Sequence, residues 1–432
     1  MRHLLLAALA LLIATPAAAQ LSKTEARIAA AVDKDSGRTL ALLERMVNQN
    51  SGSLNLAGVD AVAAIVRPEF EALGFEVRWA DMRATGRAGH LIATHRGNGR
   101  GKRMLLIGHL DTVFEPGFPF QKFVREGDKA TGPGVLDDKG GVAVIVMALR
   151  AMHEAGTLKD ADIVVVLTGD EERTGAPLDM ARKDLIDAGK WADVALEFEN
   201  LAREGGVDYG TVARRSSANW TLTVKGRTGH SSGVFGETLG YGAIYEMARI
   251  LDAFRRELAE PNLTYNVGVI GGGTPASIDD AQLNIAAAGK TNIVAETAIA
   301  RGDIRALTPE QDARARARMV AIVGQNLPGT SANIVFGEGY PPMAPTEGNR
   351  ALLTRLNGVN KALGLPDMPE YDPAKRGAAD SSWVAADADV LAGLGPTGGS
   401  SHAGGEWVDL TSIPLQAKRA AILMTRLSKE RR

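Results

Sequence analysis

Three apolar runs in this chain break off at side chains able to hold a metal, and they follow one another in sequence. They lead into Gly108-His109-Leu110-Asp111-Thr112-Val113, Gly134-Val135-Leu136-Asp137-Asp138-Lys139-Gly140-Gly141 and Gly169-Asp170-Glu171-Glu172. An imidazole, an aspartate and a glutamate thus each arrive where a strand would end. An α/β sheet delivers ligands to one edge in this way.

Composition narrows what such a site can be. The 432 residues include no cysteine. Disulfides, thiolate zinc sites and cysteine nucleophiles are excluded, which leaves His, Asp and Glu as the strong ligands and points to an oxygen-rich, hydrolytic centre. The formal net charge of -2 argues against a nucleic-acid or anionic-membrane surface, so neither partner is expected.

At the N-terminus, Met1-Arg2 precedes an apolar run from Leu4 to Ile13 and the small-residue stretch Thr15-Pro16-Ala17-Ala18-Ala19-Gln20. This pattern predicts a secretory signal peptide over residues 1–19, cleaved after Ala19, and an exported, periplasmic or secreted protein. The run is too short for a comfortable membrane span.

The remaining length predicts two domains. Helical and strand patterns alternate from Leu21 to about residue 214, implying a largely parallel sheet covered on both faces. From about Ser217 the order becomes strand 219–225, helix 238–258, strands near 265–270 and 296–305, helix 309–325 and strand 332–336. This βαββαβ order is that of a ferredoxin-like layer, after which α/β character resumes. The expected organisation is therefore a catalytic domain in two parts, 20–214 and 339–432, with a lid or dimerisation domain inserted at 215–338. Glycine clusters at Gly271-Gly272-Gly273 and Gly398-Gly399 mark turns or places of close approach to a ligand.

On these motifs the chain resembles the co-catalytic zinc exopeptidase and amidohydrolase family that includes carboxypeptidase G, the aminoacylases and bacterial dipeptidases. The resemblance covers nearly all of the chain beyond the signal peptide. It implies two Zn2+ per chain, held by His109, Asp137, Glu172, Glu199 and His402, with Asp137 bridging them. It also implies that Asp111 orients the His109 imidazole and that Glu171 is the general base. Asp138 suits a helix N-cap. Glu197 stands two residues from Glu199, and register alone does not separate them; the resemblance favours the acid directly after Phe198.

In the inserted unit, His230 of Gly226-Arg227-Thr228-Gly229-His230-Ser231 resembles a histidine that reaches the neighbouring subunit's site and stabilises an oxyanion, which implies a homodimer. Asn292 and Arg305 resemble residues that hold the substrate's backbone or carboxylate. The stretch Gly339-Tyr340-Pro341-Pro342 departs from carboxypeptidase G-like relatives, which carry an arginine there, so no preference for C-terminal glutamate follows. The reading is a metallopeptidase of carboxypeptidase or dipeptidase type acting on small peptides. The alternatives are an N-acyl amino acid deacylase and, in a different class, a periplasmic solute-binding protein.

Overall fold

The computed structural model describes residues 20–279 and 284–432; the expected signal peptide, residues 1–19, lies outside the described residues. Helices α1 (Lys23–Asn48) and α2 (Leu56–Glu71) precede strands β1 (Glu76–Asp81), β2 (Gly89–His95) and β3 (Arg103–His109). Then come α3 (Lys139–Glu154), β4 (Asp162–Thr168), α4 (Lys183–Trp191) and β5 (Val194–Glu197). Helix α1 opens on a capping box, in which Ser22 and Glu25 each accept the other's backbone N–H, a local reason for it to start there.

The inserted unit holds β6 (Ser217–Gly226), α5 (Gly242–Glu257), β7 (Thr264–Gly273), β8 (Thr297–Arg305), α6 (Pro309–Val323) and β9 (Thr330–Tyr340). The chain closes with α7 (Glu347–Ala362), β10 (Asp389–Leu391) and α8 (Ser412–Leu427).

The main sheet runs β1-β2-β4-β3-β5-β10. Strands β4, β3, β5 and β10 pair in parallel, whereas β1 and β2 join antiparallel. Its continuous apolar runs are explained by burial on both faces. In β3, Met104 and Leu106 enter one core with α1, α2, α3, α7 and α8, while Leu105 and Ile107 enter another with α4. Period-two alternation is invisible in a sequence when both faces are apolar.

The second sheet runs β7-β8-β6-β9, antiparallel throughout, which is the strand order of a ferredoxin-like layer. It has its own core around Trp220, Met247, Phe254, Ile304 and Met319. Helix α5 starts at Gly242 rather than Thr238, because Gly240 adopts a φ of 69°, outside the helical region, and stops the helix from reaching back through it. The sequence pattern also misses the hairpin of Ala276–Asp279 and Asn284–Ala287. Gly271-Gly272-Gly273 lies in β7 rather than in a turn, and it allows close approach of protein: a Cβ on Gly273 would lie 2.1 Å from the Ala288 carbonyl oxygen and one on Gly271 2.5 Å from Ile285.

Candidate metal centre

The ends of three parallel strands meet at one edge of the main sheet. His109 ends β3, Glu171 and Glu172 follow β4, and Glu199 follows β5 by two residues. Asp137 comes from the loop before α3, and His402 from the glycine-rich loop before α8.

Asp137 is the hub. One carboxylate oxygen lies 3.0 Å from His109 Nε2 and the other 3.3 Å from His402 Nε2. His402 Nε2 is also 3.0 Å from Glu172 Oε2. His109, Asp137 and Glu172 offer ligand atoms within 4.8 Å of one another, and so do His109, Glu171 and Glu199. A carboxylate whose two oxygens face different imidazoles has the geometry of a bridge between two cations.

Glycines make room for this. A Cβ on Gly108 would lie 2.7 Å from Asp138 Oδ2, and one on Gly141 would lie 1.9 Å from the Phe198 carbonyl oxygen and 2.1 Å from Asp138 Oδ1. Helix α3 can therefore abut the end of β5 only with glycine in its first turn. The N-cap expectation for Asp138 is corrected here. It occupies the cap position, yet its side chain makes no capping bond; the carboxyl accepts the His109 N–H at 3.3 Å.

Asp111 does more than orient the imidazole. His109 Nδ1 lies 3.1 Å from the Asp111 carbonyl oxygen and 3.4 Å from Oδ1. The carboxylate accepts the backbone N–H groups of Glu171 (3.0 Å) and Glu172 (3.1 Å) and the Ser53 hydroxyl (2.6 Å). It thereby holds the whole acid turn.

Glu197 and Glu199 separate by their partners. Glu197 accepts from the Ser381 N–H at 3.0 Å and from Arg214 Nη2 at 2.5 Å, whereas Glu199, also bound by Arg214 Nη2 at 2.7 Å, faces His109.

The site is acidic and largely buried, open to solvent at His402. Burial, reinforced by the charge of Glu199, pushes the Glu171 carboxyl well above its ordinary range, and burial raises Glu172 as well. Burial takes Glu199 up to about 7 against the pull of Arg214. Burial disfavours the His109 imidazolium, but hydrogen bonds to Asp111 and Asp137 outweigh it and raise its pKa. Hydrogen bonds to Asp137 and Glu172 raise His402 to about 10. Acids that resist ionisation beside imidazoles that favour it describe a cluster short of positive charge. Glu172 Oε1 is buried with no hydrogen-bond partner. Two imidazoles and several carboxylate oxygens around a central Asp137 fit a pair of divalent cations.

The remaining expected residues make their contacts within the inserted unit. His230 is exposed, with Nδ1 2.9 Å from Ser232 Oγ. Asn292 is also exposed, and its carbonyl accepts the Ser231 N–H at 2.9 Å. Arg305, at the end of β8, pairs with Asp303 at 2.9 Å.

Sequence reasoning missed Arg214 and the role of Glu406. Glu406 is fully buried and accepts the N–H groups of Leu136 (2.7 Å), Asp137 (3.1 Å) and Gly134 (3.4 Å), so it holds the loop that presents Asp137. Its place four residues after His402 was the available signal.

A mixed α/β sheet that gathers these ligands at one edge, with an inserted antiparallel layer, defines a metal-dependent hydrolase of peptide or amide bonds. Residues 105–426 match peptidase family M20/M25/M40. The chain belongs to that family. It is similar to carboxypeptidase G2 of Pseudomonas sp. (strain RS-16), 27% identical over 389 residues, covering 88% of this chain and 87% of that one. Its fold is similar to a tripeptidase from Staphylococcus aureus (TM-score 0.69, 19% identity, 91% of this chain and 99% of that chain). It is also similar to a dinuclear metal-binding M20 peptidase from Bacillus subtilis (TM-score 0.63, 14% identity, 91% and 98%).

Proposed function

We propose that the chain is an exported, homodimeric dizinc peptidase of carboxypeptidase or dipeptidase type, cleaving an amide bond next to a free carboxylate. The observation that carries the metal reading is Asp137 set between His109 and His402 at 3.0 and 3.3 Å. His109 and Glu199 would hold one Zn2+ and Glu172 and His402 the other, with Asp137 shared. When bound, the cations supply a water of lowered pKa and polarise the scissile carbonyl.

The chain's own groups do the rest. Glu171, with its backbone fixed by Asp111, takes a proton from the attacking water and delivers it to the leaving nitrogen, and burial favours its holding that proton in between. His230 would donate to the oxyanion of a neighbouring subunit. In support, it is exposed in a unit whose surface also carries Phe235, Ile244, Tyr245 and Ile270, each at least 50% exposed, as a dimer face would. Asn292 and Arg305 would hold the substrate's backbone and carboxylate. Export rests on the composition of residues 1–19.

The test is metal content by mass spectrometry, paired with amino acid release from dipeptides and N-acyl amino acids before and after chelation. Two zinc per chain and chelation-sensitive dipeptide cleavage are expected. Cleavage of the N-acyl substrates alone would instead establish a deacylase, and absence of both metal and cleavage would sink the reading. Glu171→Gln should keep its metal and lose about 100- to 10,000-fold in kcat; full activity would remove Glu171 as the base.

A further inference from the structure

The turn that carries Glu171 is gripped from both sides. On one side, Asp111 accepts the N–H groups of Glu171 and Glu172. On the other, the Tyr340 hydroxyl donates to the Glu171 carbonyl at 2.9 Å. Tyr340 is the last residue of β9, the strand by which the chain leaves the inserted unit.

The tyrosine is itself fixed. Arg182 Nη2 donates to the Tyr340 oxygen at 3.0 Å, to the Asp170 carbonyl at 3.1 Å and to Thr174 Oγ1 at 3.1 Å. Arg182 is fully buried, held by Asp170 (2.5 Å) and Asp380 (3.2 Å). Thr174 Oγ1 lies 3.3 Å from the Tyr340 hydroxyl, and the Tyr340 ring packs on Trp383 with centroids 5.4 Å apart. Each member of this cluster touches the turn 170–175 or holds a residue that does. None of them is a metal ligand in the proposed set.

We propose that Tyr340 is a positioning residue that ties the root of the inserted unit to the backbone of Glu171, so that the placement of the base depends on where β9 ends. The inference rests on the reading of Glu171 as the base. With Asp111 holding the amide nitrogen and Tyr340 the carbonyl oxygen, the Glu171 backbone has little freedom to rotate. Loss of either grip lets the carboxylate wander, and displacements of about 1 Å from productive geometry cost about 100-fold in rate.

The test is Tyr340→Phe in the full-length protein, which keeps the ring on Trp383 and removes only the hydroxyl. At full metal loading, kcat should fall about tenfold or more while KM and the metal-to-protein ratio stay at the parent values. Amide hydrogen exchange over residues 171–175 should quicken in both metal-free and metal-loaded protein. Thr174→Val should shift both readouts the same way by less, and it serves as the test if Tyr340→Phe does not fold.

Parent kcat in Tyr340→Phe, or a loss that only tracks lost metal or a lowered melting temperature, would overturn the proposal. Failure of the underlying reading looks different. If Glu171→Gln were fully active, the base assignment would fall, and unchanged exchange over 171–175 in Tyr340→Phe would separately remove the clamp.

Discussion

At the scale of single residues, the centre is built from groups whose proton affinities are displaced by burial and by one another. In metal-free protein the folded pKa of Glu199 is raised from 4.5 to about 7, mainly by burial, and Glu171 and Glu172 move in the same direction. The folded state then binds more protons than the unfolded state between those values. Stability is therefore greatest below the unfolded value and falls as pH rises through the folded one. His402, raised from 6.5 to about 10 by its two acids, has the same sign: its contribution is present below 6.5 and lost towards about 10. Asp137 is lowered, so its contribution is lost only as pH falls below 3.8. Thermal melts of metal-free protein should show Tm falling as pH rises from about 5 to about 9. With zinc present the trend should flatten or reverse, because the ions bind the deprotonated ligands. A metal-free Tm that climbs across this window would contradict the burial argument.

At the scale of elements, the ligands are placed by loops, and those loops are held through their backbones. Asp111 and Tyr340 grip the turn after β4, and Glu406 grips the loop before α3 through three N–H groups. Burial drives the Glu406 carboxyl up to about 7 even against those donors. Glu406→Gln would keep a carbonyl oxygen for the Leu136 and Asp137 donors but set its amide NH2 against the Gly134 N–H, leaving the loop that presents Asp137 less firmly held. Zinc affinity, read by chelator competition, should weaken about 10- to 100-fold, with activity recovering as zinc is raised. An unchanged affinity would show that the loop keeps its shape without the carboxylate.

At the scale of the whole molecule, the inserted unit carries His230 and Asn292 on its surface, where His230 bonds to Ser232 and Asn292 to Ser231. If His230 serves a partner's site, neither His230→Ala nor Glu171→Gln homodimers should turn over substrate. Mixed, unfolded and refolded together, the two variants should regain activity, since one site in each heterodimer then has an intact base and an intact partner histidine. Continued inactivity in heterodimers verified by mass would place His230 in cis or outside the mechanism.

The residue types of the centre were legible in the sequence because strand ends impose order. His109 and the Glu171-Glu172 pair follow apolar runs whose burial fixes where the strands stop, and the βαββαβ order of the insertion follows from period and turn chemistry alone. The expectation that Asp137 also ends a strand is corrected, since a bend and turn over residues 132–138 lead it straight into α3. Contacts between distant segments were not legible. The sequence says nothing of Arg214 gripping Glu197 and Glu199 together, of Tyr340 reaching the Glu171 carbonyl across 169 positions, or of Asp138 turning from a cap to the His109 amide. Local propensity is written in neighbouring residues, whereas these contacts depend on how close two packed elements come, which Gly108 and Gly141 permit and only the assembled sheet and helix decide.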